Sequence, residues 1–222
     1  MSEAGTMGVG WRFQRSALDR GPSLSDRVSE EVARLHHGTL LHRWSLRGRF
    51  APKLLAHASD PLVGDAARGR ELAAGRLSHA GATMALSHAD WRAQTLEAWL
   101  DHAHGFAWLH DLVAFDRAKA ARLAEPLVRS WVASFQHYDS VAWTPRRIGA
   151  RTLNIALAPE AAVPQADLVL RSALLLAMVR GCRHLDRTVE HAADGLPRIT
   201  AAAGAVAGGL VLPFSEARLA RG

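Results

Sequence analysis

The run Leu168-Val169-Leu170-Arg171-Ser172-Ala173-Leu174-Leu175-Leu176-Ala177-Met178-Val179 is apolar almost all round. It lies in the longest helical pattern of the chain, Ala166 to His191. A helix without a polar side must be packed on several sides, so this chain has to surround it with other elements. Arg171 interrupts the run, and the next apolar stretch, Ile199 to Phe214, is too short and too rich in Gly and Ala to cross about 30 Å of hydrocarbon. Both are therefore read as core helices, with no membrane partner. Gly204 and Gly208, four apart, allow a neighbouring helix to approach closely, because a side chain there would hold it away.

The rest of the chain supplies that surround. Leu123, Leu127, Trp131 and Phe135 fall four apart with Val128 beside them, a single helix face, and Asp116 is read as its N-cap. Pro126 removes an internal hydrogen bond, so this helix either kinks there or divides in two. Pro145 opens a further helix at a favoured first-turn position, running through Ile148, Leu153 and Ile155 to a stop at Ala158-Pro159. Asp194-Gly195-Leu196-Pro197 resets the chain into a last helix, Arg198 to Leu212. Upstream, Asp60 to Asp65 is a turn before a short helix at Ala66–Ala74, and alternation around Gly81 predicts a small β-hairpin within 75–86. Residues 1–23 read as a mobile arm leading into a first helix near Leu24 to Leu46. The fold class is mainly α, with helical sequence over 24–222.

Composition excludes several classes. At 49% hydrophobic and 22% charged residues the chain is neither disordered nor a multi-span membrane protein. The single cysteine, Cys182, rules out an internal disulfide framework and a cysteine-based zinc cluster, which leaves it as core filler. Met1 to Asp19 lacks an unbroken apolar stretch of the secretory type, so a cytoplasmic location is expected. The 27 basic residues outnumber the 21 acidic ones and are nearly all arginine. Guanidinium groups match carboxylate or sulfate through paired hydrogen bonds. The arginines are scattered through every segment, which favours genome composition over a binding footprint, and no nucleic-acid partner is expected.

No Gly-x-Ser-x-Gly elbow, phosphate loop or His-Glu-x-x-His helix is present. His102-Ala103-His104 with His110 and Asp111 has the spacing of strand-borne metal ligands, but helical sequence flanks it, and residues two apart on a helix point to different sides. No metal and no cofactor is therefore expected. The segment Leu100 to Leu112 and the tryptophans Trp99, Trp131 and Trp143 leave two readings open: a stacking floor for sugar rings, or core aromatics.

The order of several segments resembles the N-terminal region of bacterial heparinase II/III-like proteins. The matching stretches are Asp60-Pro61-Leu62-Val63-Gly64-Asp65 with Gly69 and Ala74-Gly75-Arg76-Leu77, then His104-Gly105-Phe106-Ala107-Trp108-Leu109. They continue with Leu127-Val128-Arg129-Ser130-Trp131, Ala142-Trp143-Thr144-Pro145, Asp167 to Ala173, Asp194-Gly195-Leu196-Pro197-Arg198, and Glu216 to Gly222. Together they cover about residues 35 to 222.

The resemblance implies a partial (α/α) toroid of antiparallel helix pairs that a β-sandwich would follow. The implied reaction is β-elimination in an acidic, uronate-containing polysaccharide of glycosaminoglycan or alginate type. Such chemistry needs a group that neutralises the uronate carboxylate, a His or Tyr base, and a Tyr-type acid. The family's catalytic stretch and sandwich would lie beyond Gly222, and the only tyrosine, Tyr138, matches no catalytic motif. No catalytic residue is therefore carried over. His104, Trp108, Arg171 and Arg198 are the expected substrate-binding positions, with pairing to Asp167 the rival role for Arg171. The expectation is a lyase fragment inactive alone, whose apolar faces await the C-terminal part or a second copy. The alternative is a non-catalytic helical module that binds acidic glycans or a partner chain.

Overall fold

The computed structural model describes residues 54–56 and 62–213. The arm over 1–23, the helix expected at Leu24 to Leu46, Asp60-Pro61 and Glu216 to Gly222 lie outside these residues. In chain order the described elements are α1 (Ala66–Ala73), β1 (Arg76–His79), β2 (Ala82–Ala85), α2 (Glu97–His104), α3 (Trp108–Asp116), α4 (Ala120–Phe135), α5 (Pro145–Leu157), α6 (Pro159–Ala162), α7 (Leu168–Thr188) and α8 (Leu196–Val211). Short 3-10 turns at Leu86–His88 and Val189–His191 follow β2 and α7.

Local chemistry accounts for the starts of three of the described helices. Asp65 caps α1 by accepting from the amides of Ala67 and Arg68, Thr144 caps α5 ahead of Pro145, and Asp167 caps α7 through Leu170 N–H. The hairpin pairs Leu77 with Met84 and Ser78 with Thr83 in antiparallel register. Its two-residue turn, Ala80-Gly81, has positive φ at both positions, as a hairpin turn of matching twist requires.

Two expectations at the start of α4 and within it need correcting. Asp116 is the last residue of α3 and not the cap of α4; its carboxylate instead accepts from Lys119 N–H at 3.1 Å and Nζ at 2.6 Å. Pro126 does not divide α4, which runs unbroken over 16 residues. The proline sits on the exposed side, where the carbonyl it leaves without a donor can meet water. The buried face of α4 is the one the four-residue spacing predicted: Leu127, Val128, Trp131 and Phe135 are in the core, with Leu123 packed at its edge.

The helices α5, α7 and α8 enclose one another, with α5 against α8 the most extensive pairing. Contact is close because no side chain intervenes. A Cβ on Gly204 would lie 2.2 Å from the Cα of Gly149, and one on Gly208 would lie 2.6 Å from Cys182 Sγ. Gly149 faces Thr200, Ala201 and Gly204, while Thr152 faces Gly208, so contacts advance together along both helices. α5 and α8 thus run in the same general direction, and α7 returns the chain between them.

Glycine performs the same service at the other end of the molecule. Cβ atoms on Gly64 and Gly69 would fall 2.0 Å and 2.1 Å from the carbonyl oxygens of His110 and Asp111, so α1 and the strand of chain before it lie directly on α3. No described helix is long and apolar enough to cross a membrane.

Candidate functional site

The four residues expected to line a sugar cleft do not come together. His104 and Trp108 are both fully buried, at the end of α2 and the start of α3. Trp99, Trp131 and Trp143 are buried as well, which places these aromatics in the core and not on a cleft floor. Each indole N–H has an internal acceptor: Leu77 O for Trp99, Ala103 O for Trp108, His104 Nδ1 for Trp131, and Phe135 O for Trp143. Stacking a pyranose on any of these rings would require opening that core. Arg198 binds the carbonyls of Ala192 and Glu190 and pairs with Asp194, closing the turn into α8. Arg171 is half-buried with Nε lacking a hydrogen-bond partner. The carboxylate of Asp167, its expected mate, is bound instead by Arg129 at 2.9 Å.

Because His104 Nδ1 accepts from Trp131, a neutral ring carries its proton on Nε2, which has no hydrogen-bond partner and stands among Phe135 and Trp91. Burial holds this imidazole down at about 3, and the nearby guanidinium groups of Arg151 and Arg147 push the same way. Arg151 is itself buried, donating to the carbonyls of His104 and Ala142 and lying 4.3 Å above the Trp131 ring. Burial lowers its pKa to about 9, so it stays charged at neutral pH. Arg147 is tied to Asp101, Glu97 and the Val141 carbonyl. Sequence reasoning did not single out either arginine, since nothing local distinguishes a buried guanidinium from a solvated one.

His102 faces another way from His104, stacked on His79 with ring centres 4.1 Å apart and planes parallel within 1°. Asp111 lies beside the stack, accepting from Asp65 N–H and from Arg68 Nε and Nη2. Its Oδ2 is 3.7 Å from His102 Nε2, too long for a hydrogen bond, although within ion-pair range if the ring were charged. The charge balance goes against that. Burial, then His79, then Arg68 bring His102 down to about 3. This hub joins α1, β1, α2 and α3 with both imidazoles uncharged and its one guanidinium, Arg68, bound by Asp111.

Two surface features remain as binding candidates. A shallow groove of about 470 Å³ on α4 is lined by Arg122, Glu125, Pro126, Arg129, Ser130 and Ala133. Arg129 there is already bound by Glu125 and Asp167. The second feature is a ridge on α7, where Arg180, Arg183 and Arg187 recur at i, i+3 and i+7 on one face, with Asp186 alongside. Arg180 Nη1 lies 3.3 Å from His137 Nδ1. The ring of Tyr138 packs 5.5 Å from that of His184 and 6.3 Å from that of Trp143. No family model, curated protein or solved structure matches this chain. The site must therefore be judged on its own chemistry. The ridge sets three guanidinium groups along about 10 Å of helix beside the only tyrosine, and Arg180, Arg183, Arg187 and Asp186 all engage other groups of the chain. Its spacing was legible in the sequence, but the even scatter of arginines elsewhere concealed it.

Proposed function

We propose that this chain is the helical, glycan-holding part of a heparinase II/III-like lyase that acts by β-elimination on a uronate-containing polysaccharide. A continuation of the polypeptide would supply the chemistry. The observation that carries this reading is the α7 arginine ridge with His137 and Tyr138 at its side. Each guanidinium is engaged within the chain and would take a carboxylate or sulfate by exchanging its present partner, and several in a row hold a repeating polyanion more tightly than any one alone. The packing of α5 and α8 with α7 returning between them is compatible with a partial (α/α) toroid. A non-catalytic module that binds acidic glycans is the second reading, and the same ridge favours it.

The test compares this chain with one extended through its downstream reading frame, each incubated with glycosaminoglycan and alginate substrates and followed by ultraviolet absorbance of unsaturated uronate products. The extended chain should form product and the short one should not. Product from the short chain would overturn its assigned inactivity, and none from the extended chain would leave the binding module as the better reading. Uronate oligosaccharide binding by the short chain, read by calorimetry, should weaken by about tenfold in Arg183→Glu/Arg187→Glu. Salt-dependent binding of duplex DNA without uronate binding would defeat both readings.

A further inference from the structure

The outward face of α8 is apolar along its whole length. Leu196, Ile199, Val206 and Leu210 are 62%, 65%, 48% and 57% exposed, and the half-buried Ala203 completes a stripe with alternating spacings of three and four. That is the spacing by which one helix receives another, and it continues for about 21 Å. Leu55 N–H donates to Val211 O at 2.8 Å, and Leu54 packs against the core. The chain therefore enters the described fold beside Leu210, at the very end of the stripe.

What precedes that point carries a matching face. Leu24, Val28, Val32 and Leu35 recur at spacings of four, four and three, and a helix over them presents an apolar strip about 16 Å long. About 20 residues separate Leu35 from Leu55, which can reach more than 60 Å when extended, so the strip can lie anywhere along α8.

We propose that the Leu24–Leu35 segment of this chain docks its apolar face on the Leu196–Leu210 stripe of α8. Tethering at Leu55 makes the encounter intramolecular, which gives the segment a high effective concentration over any second copy. Docking covers the exposed leucines, isoleucine and valine of α8, and it is independent of any glycan.

Limited trypsin digestion of the whole chain tests this at the bonds after Arg27 and Arg34. Docking slows cleavage there, and Ile199→Glu/Val206→Glu should speed it by about tenfold. Both side chains point outward, so this variant keeps its core. Val28→Glu/Val32→Glu, outside the described fold, should give the same acceleration. Cleavage of the unaltered chain as fast as in either variant overturns the proposal. So does protection that disappears on dilution, which would mean that a second copy covers α8.

Discussion

Lowering the pH from 7.5 to 5 is expected to remove roughly 4 kcal/mol of folding stability, through His102 and His104 together. Both are held down at about 3 in the folded chain, chiefly by burial. In the unfolded chain each returns to about 6.5. Between these values the unfolded state binds a proton that the folded state refuses. The stabilisation is therefore fully present above about pH 6.5, is lost at about 1.4 kcal/mol per pH unit for each ring as pH falls below it, and the loss levels off near pH 3. Urea unfolding across this range measures the slope. His102→Gln should reduce that slope by about half. An unfolding midpoint unchanged between pH 7.5 and 5 would show that neither imidazole is protected as described.

Gly204→Val should destabilise the fold by about 3 kcal/mol or more. A Cβ at this position would sit 2.2 Å from Gly149 Cα and 2.3 Å from Gly149 O, both of them backbone that no rotamer change can move aside. Relief requires α8 to separate from α5, which also loosens Gly208 from Thr152. Thermal or urea denaturation reads the effect, with Ala202→Val as the control, since that neighbour is exposed. Equal stability of the two variants would contradict the close helix contact.

The α5–α8 contact was partly legible in the sequence. Gly204 and Gly208 announce a helix that wants a near neighbour, yet nothing local identifies Gly149 and Cys182 as what they meet. Helix extents follow the same division. Thr144-Pro145 marks the start of α5 by capping chemistry that acts within three residues, whereas α7 begins at Leu168 behind its cap Asp167, two residues later than the apolar pattern indicated. Asp116 misled because a carboxylate that binds an amide three residues on is common to turns and caps, and here it closes the turn between α3 and α4.

The aromatic residues show the limit more plainly. Trp99, Trp108, Trp131 and Trp143 have the same flat faces whether they stack on sugars or on one another, and only the burial of the surrounding helices makes them core. His102 and His104 are two residues apart, but one lies on His79 and the other on Trp131. Periodicity specified that they would diverge without specifying where each would end.

By itself, then, the sequence determined that the chain is mainly helical, where α1 and α5 begin, and which face of α4 is apolar. Those properties depend on neighbours within a turn or two of helix. Tertiary structure decided which apolar faces found partners, which arginines became buried struts and which line one face of α7, and which imidazoles lost access to protons. The reason is that burial and charge balance are set by residues distant in the chain, and no short window of sequence contains them.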